Sequence, residues 1–343
     1  MPAERPTLEQ VARLAKASSA TVSRVLNKTA RVSPELERRV RAAAEAVGFD
    51  LQRKSSRLIA FVLGNRPILH PYHSHVLAGA EAYCAERDYV LAFFSLSYPR
   101  AASGGSLPYS RIVDRSGMLD GFIVAGTNTQ NLLDRLSETG LPVAVFGDTM
   151  QEPWSREGLD VVWLDDITGS YEMTRYLQSL GHTRIWFVGN TRLAWFQRRQ
   201  QGYSRAMQEA GLAPRVESLD SDDEHEMGLL ATKLIYSRGE PVDAVIAGND
   251  AICQGIYDAL RDGGVEVPGG VSVAGFNDTI EAAALRPPLS TVRAFPERVG
   301  RQLAELVLRR IADPSRPCQE ITVPTQLVRR ESTRGRLSHA VSP

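Results

Sequence analysis

From position 58 onward one pattern repeats along the chain: a short, apolar, β-rich run punctuated by Gly or Asn, then a helical stretch. The runs are "LIAFVLG", "YVLAFFSLS", "GFIVAG", "PVAVFGD", "RIWFVGN", "AVIAGN" and "VSVAGF". "SHVLAGAEAYCAERD" and "GSYEMTRYLQSLG" are two of the helical stretches between them. Alternating β and α elements admit few architectures. They imply parallel sheets with helices on both faces. There are enough runs for two sheets, and ligands of such folds bind beyond the carboxyl ends of the strands. At 343 residues the chain exceeds one ordinary domain and fits two or three.

Composition excludes several classes. With 43% hydrophobic and 23% charged residues the chain reads as globular. No apolar run approaches the length of a membrane span, and "MPAERPTLEQ" has no apolar core of a secretion signal. Cys84, Cys253 and Cys318 are too scattered for a zinc site and suit a reducing compartment. A cytoplasmic protein is therefore expected. There is no G-x-S-x-G, P-loop, H-E-x-x-H or G-x-G-x-x-G after a strand, so no enzyme is expected.

The net charge of zero hides an asymmetry. Residues 1–57 carry 12 Lys and Arg against 6 Asp and Glu, and the rest of the chain is correspondingly acidic. A basic head on an acidic body is the footprint of a nucleic-acid-binding head. The head opens on "TLEQVARLAKASSATVSRVLN". Thr7 and Gln10 form a capping box, and Leu8, Val11, Ala12, Leu14 and Ala15 make an apolar stripe. Ser18 caps a second helix whose Val22, Val25 and Leu26 face inward. Ser33 and Pro34 start a third helix, with Leu36, Val40, Ala43, Ala44 and Val47 on its inner face. Three short helices thus share one small core, and the second turns Ser19, Ala20, Thr21, Ser23, Arg24 and Asn27 outward. Small polar residues at a helix start fit a major groove, and Arg24 can donate two hydrogen bonds to a guanine. Ser18, Thr21 and Ser23 suit phosphate oxygens, with Lys28 and Arg31 adding charge. A solvated helical hairpin that meets another protein would share these features.

The stretches "ATVSRVLN" and "VSPELERRVRAAAEAVGF" resemble the head of the lactose-repressor (LacI/GalR) family of transcriptional regulators. The resemblance implies a helix-turn-helix whose second helix reads bases through Ser19, Ala20 and Arg24, with Ser18 and Thr21 on phosphates. Lys16 stands where the family has a turn glycine, and a left-handed lysine costs about 1 kcal/mol. The family continues with a hinge helix that enters the minor groove. Here the segment "GFDLQRKSSRLIAFVL" is shorter, so Arg53, Lys54 and Arg57 are left to touch phosphates across a short linker.

The resemblance extends through "SLGHTRIWFVGN", "RRQQGYSRAMQEAGL", "DAVIAGND", "GVSVAGFND", "PPLSTVR" and "VPTQLVRREST". It implies a body like periplasmic sugar-binding proteins, two doubly wound α/β lobes clamping an effector. The expected division is a DNA-binding head at 1–50, a linker at 51–57 and an effector and dimerisation body at 58–336, with a tail at 337–343. Within the body the N-lobe is 58–162 plus 293–320 and the C-lobe 163–292 plus 321–336. The resemblance places Tyr72, His73, Trp195, Phe196, Arg199, Asn249 and Asn277 at the effector. Asn277 stands where the family has an aspartate, and its amide can donate as well as accept. Tyr72, Trp195 and Phe196 equally suit a lobe core, and Arg199 a salt bridge. His70, His73 and His75 lie close in sequence but lack a nearby carboxylate or thiol, so no metal and no cofactor are expected. Asp165 and Asp166 precede a helix and read as caps. The expected partners are double-stranded DNA with a pseudo-palindromic operator, a small effector such as a sugar, and a second copy in a homodimer. A competing reading is a cytoplasmic ligand-binding or scaffold protein that lost operator binding with its hinge.

Overall fold

A computed structural model describes residues 8–26, 32–47, 56–67, 70–99 and 116–335. The head contains α1 (Leu8–Leu14), α2 (Ser19–Leu26) and α3 (Pro34–Ala46). Val11, Ala12, Ala15, Val22, Val25, Val40, Ala43 and Ala44 are buried together. Leu14 is a correction to the expected stripe: it is 56% exposed, because the face holding Val11, Ala12 and Ala15 already points at the core. Lys16 does take the left-handed conformation, with φ 47°. The carbonyls freed at this turn are met by Arg39, whose Nη2 donates to the oxygens of Ala15 (2.5 Å) and Lys16 (3.3 Å). The cap at Thr7 and the inward Leu8 and Leu26 side chains lie outside the described residues, as does the shortened segment with Arg53 and Lys54.

The body begins where the backbone N–H groups of Ser56 and Arg57 donate to Asp120 (3.2 and 2.7 Å). Its elements follow as β1 (Leu58–Gly64), α4 (Pro71–Ala85), β2 (Val90–Leu96), β3 (Gly121–Gly126), α5 (Gln130–Ser137), β4 (Val143–Phe146) and β5 (Asp160–Leu164). Then come α6 (Asp166–Ser179), β6 (Ile185–Val188), α7 (Ala194–Glu209), β7 (Arg215–Glu217), α8 (Glu224–Ser237), β8 (Ala244–Ala247), α9 (Asp250–Asp262) and β9 (Ser272–Ala274). The chain closes with α10 (Ile280–Ala284), β10 (Thr291–Arg293), α11 (Pro296–Ala312), β11 (Glu320–Val323) and β12 (Gln326–Val328).

Two parallel sheets result, in the orders β11-β5-β4-β3-β1-β2 and β7-β6-β8-β9. Strands β1, β3, β4, β5, β6, β8 and β9 are almost wholly buried, as strands covered on both faces must be, while the edge strands β2, β7 and β11 are partly exposed. The first sheet runs to Leu164 and Val323, beyond the lobe boundaries expected at 162 and 320. β10 and β12 form a separate antiparallel pair where the chain crosses between lobes. Helices α4 and α11 cross over the first sheet at almost no distance. A Cβ on Gly79 would lie 2.1 Å from the oxygen of Glu297, and one on Gly300 1.9 Å from that of Val76. Among the described residues no helix is long and apolar enough to cross a membrane.

Candidate functional site

Helix α2 is capped as expected: the N–H of Thr21 donates to Ser18 Oγ (3.0 Å). The two hydroxyls also share a hydrogen bond of 2.7 Å, so Ser18 and Thr21 are held as one unit at the helix start. One of the two donates its proton in that bond, so the pair keeps one rotatable proton, and lone pairs, for a further partner. Ser18 is exposed and Ser19 half-buried. Ala20, Ser23 and Arg24 lie within α2, while their side chains, with Thr7, Asn27 and Arg31, fall outside the described residues.

A second candidate site lies between the lobes, at the carboxyl ends of the strands. Arg66, His70, Tyr72, His73, Phe146 and Asp148 wall it from the N-lobe. Asp166, Trp195, Arg199, Glu224, Asn249 and Asn277 wall it from the C-lobe. Six of the seven residues expected at the effector are therefore brought together. Phe196 is a correction. It is fully buried in the C-lobe core, close under Gly248, where an added Cβ would meet its ring at 2.4 Å. Trp195 and Arg199 are four residues apart and share the cleft face of α7, which turns Phe196 toward the sheet.

The cleft is electrostatically dense. Arg199 donates from Nε to Asp166 Oδ1 (2.7 Å) and from Nη1 to the oxygen of Gly248 (2.6 Å), and lies 3.8 Å over the Phe276 ring. Five N–H groups on the guanidinium leave donors for a ligand. Next to it, Arg198 Nε sits 2.8 Å from Asp148 Oδ1 and 3.8 Å from Asp166 Oδ2. The backbone N–H of Leu164 donates to Asp148 Oδ2 (2.6 Å). Burial, and then the charge of Asp166, raise the Asp148 carboxyl well above the usual range, against the pull of Arg198. Since Asp148 belongs to the N-lobe and Arg198 to the C-lobe, this row of two buried carboxylates, the buried Arg199 and the half-buried Arg198 ties the lobes together. Arg66 adds a second tie, its guanidinium 4.9 Å over the Trp195 indole.

Asp165 and Asp166 part company. Asp165 caps α6 by accepting from the N–H of Thr168 (3.2 Å), as expected, whereas Asp166 turns into the cleft. Asn249 caps α9 in the same way, accepting from Ile252 (3.0 Å), and still lines the cavity. Beside it Asp250 accepts from the Thr291 hydroxyl (2.6 Å) and the N–H of Thr279 (2.8 Å), and burial pushes its carboxyl up to about 7.

His73 is buried, with its ring 5.2 Å from that of His70 and 5.8 Å from Tyr72. Burial, then the neighbouring His70 and Arg66, hold His73 well below the ordinary imidazole range. His75 leaves the group to pair with Glu297 (2.6 Å). Several buried polar atoms of the cleft have no protein partner: Tyr72 Oη, His73 Nδ1, His70 Nδ1 and Asn277 Oδ1. Such atoms are uncommon inside proteins and mark where a ligand's own polar groups fit. Counting its solvent-open part, the cleft encloses about 440 Å³ between its atoms. Only about 40 Å³ lies far enough from every wall to centre a water molecule. The lobes are shut, and a ligand must part them to enter.

Arg66, His70, Asp148, Asp166 and Glu224 were not singled out in the sequence as ligand contacts. Arg66 and Asp148 each sit just past an apolar run, the one signal that could have marked them.

Known proteins resolve the identity of this arrangement. Residues 7–50 match "Bacterial regulatory proteins, lacI family", and residues 174–333 the periplasmic binding protein-like domain. The HTH-type transcriptional repressor PurR of Vibrio campbellii is 31% identical, with 90% of this chain and 92% of that protein aligned. The chain belongs to the lacI family of bacterial regulators. The ribose operon repressor of Haemophilus influenzae is 28% identical over 95% of this chain and 98% of its own length. The solved complex of the transcriptional regulator CelR with cellobiose is 27% identical, superimposes with a TM-score of 0.70 and covers 96% of this chain and 100% of that one. As a lacI-family member the protein is a DNA-binding transcriptional regulator with a two-lobe α/β body, and its relatives are named as regulators and repressors, not enzymes. They give the scaffold reading no support.

Proposed function

We propose that the protein is a cytoplasmic, homodimeric repressor whose affinity for a pseudo-palindromic operator is set by a carbohydrate held between its lobes. The observation that carries this reading is the cleft itself. Its unpaired polar atoms and its cross-lobe pairs occupy one place, so a ligand that satisfies the first must alter the second. That supplies the differential affinity between lobe arrangements that ligand control of DNA binding requires. The ribose and cellobiose in the names of relatives support a sugar as the class. In this reading the head spans residues 1–50, and Ser18, Ser19, Ala20, Thr21, Ser23 and Arg24 meet the operator. Tyr72, His73, Trp195, Arg199, Asn249 and Asn277 meet the effector.

Selection of binding sites from a random duplex library with full-length protein tests the reading. A two-fold-symmetric motif is expected, its occupancy changed by a sugar. Recovery of no enriched sequence, with or without sugars, would sink it.

A further inference from the structure

The body takes hold of the chain where the head's tether enters it. Asp120, the last residue before β3 and only 7% exposed, turns its carboxylate toward the segment that leads into β1. Oδ1 accepts from the backbone N–H of Ser56 (3.2 Å) and Oδ2 from that of Arg57 (2.7 Å). We propose that Asp120 is a positioning residue for the DNA-binding head: its grip fixes where the tether leaves the body, and so which separation of operator half-sites the two heads of a dimer can span. The inference rests on the reading above of a homodimer on a two-fold operator.

The carboxylate grips backbone, so its hold does not depend on the side chains of the tether. Two consecutive N–H groups on one carboxylate make charge-assisted hydrogen bonds, roughly twice as strong as neutral ones. Arg57 is held from two further directions. Its carbonyl accepts from the N–H of Val90 at the start of β2 (2.7 Å), and its Nη1 donates to Asp88 Oδ2 (3.2 Å) in the turn before that strand. Arg57 (φ 54°) and Asp88 (φ 57°) are both left-handed non-glycine residues. Such backbone persists only where its surroundings over-determine it. The Arg57–Asp88 pair is exposed and contributes little, so the buried Asp120 carries the side-chain part of the hold. Directly beyond it Ile59 pairs with Gly121, which fixes the exit point to the N-lobe sheet.

The length of the tether makes this point matter. From Val47, which ends α3, to Ser56 the chain takes nine steps. Even fully extended, such a stretch reaches about 30 Å. The head therefore works within about 30 Å of Ser56, whatever path the chain between them takes. Once one head is bound, the other meets its half-site at an effective concentration set by the reach and stiffness of the two tethers. A fixed exit concentrates that reach on one separation of half-sites. Releasing the exit frees further residues toward Leu58, lengthens the tether and spreads the same binding over several separations.

The test uses full-length protein and duplexes that carry its selected half-site once, or twice at a series of separations. Wild type, Asp120→Ala and Asp120→Asn are compared, with circular dichroism to establish that each is folded. Wild type should favour one separation by about tenfold or more. Asp120→Ala should lose most of that preference while binding the single half-site as wild type does. Asp120→Asn keeps one acceptor oxygen but turns an amide donor on the second N–H, so it should fall between the two. An aspartate that merely supports the fold would lower the unfolding midpoint and leave the separation profile as it was. A wild type indifferent to separation, or an unchanged profile in the folded variants, overturns the inference alone. So does equal weakening on one half-site and on two, and so does loss of the fold in both variants. Failure of the wild type to select any two-fold motif overturns the inference together with the operator reading.

Discussion

At the scale of the residue, the cleft depends on charges that cannot be removed singly. Arg199 is buried and holds Asp166, itself fully buried. Arg199→Ala should cost about 3 kcal/mol in urea unfolding, because it leaves the buried Asp166 with only the Arg198 guanidinium, 3.8 Å away. His73 gives a pH signature. Its folded-state pKa lies below the unfolded value, so the unfolded chain binds the extra proton first. Its contribution is therefore intact above about pH 6.5 and lost as pH falls below that. The raised carboxyls of Asp148 and Asp250 act in the opposite sense, losing stability as pH rises. Comparison with His73→Phe isolates the histidine. Between pH 7 and 5 the wild type should lose stability relative to the variant by up to about 1.4 kcal/mol per pH unit. Equal slopes for the two proteins would contradict the assignment. What sequence showed at this scale was uneven. Trp195 and Arg199 were legible through the resemblance, which placed them at the effector together with Phe196. Asp166 was not, because it stands next to a true cap and looks the same in one dimension.

At the scale of the element, the structure is written in caps and crossings. The alternation of runs and helical stretches made both sheets legible, since a strand buried on both faces must be apolar throughout. The pairing of β11 with β5, four strands distant in sheet order from β2, had no such signal. Register across a crossover depends on packing far away in the chain. Gly79 and Gly300 are similar: nothing local distinguishes them from turn glycines. Gly79→Ala or Gly300→Ala should push α4 off α11 and cost about 1–3 kcal/mol or more in chemical denaturation. In the head, Lys16 invites the reverse change. Lys16→Gly relieves a left-handed side chain and should stabilise the isolated thermal transition of the head by about 1 kcal/mol. An unchanged or lower midpoint would mean that the contacts of Arg39 already offset the strain.

At the scale of the whole molecule, the two lobes are joined by the antiparallel pair β10–β12 and closed by Arg198 with Asp148 and Arg66 with Trp195. The Arg66 tie joins two half-buried side chains, whereas Asp148 is buried. Arg66→Ala should shift the free protein toward an open arrangement, seen as a larger radius of gyration in small-angle X-ray scattering. A sugar should reverse the shift. Scattering identical to that of the wild type would show that the buried Asp148 row holds the lobes alone. A regulator that rests shut also answers its signal on a schedule of its own. Entry waits for the lobes to part, so the observed rate of binding should rise with sugar concentration only to a ceiling, the opening rate itself. Past that ceiling a cell could flood with the effector and the regulator would respond no sooner.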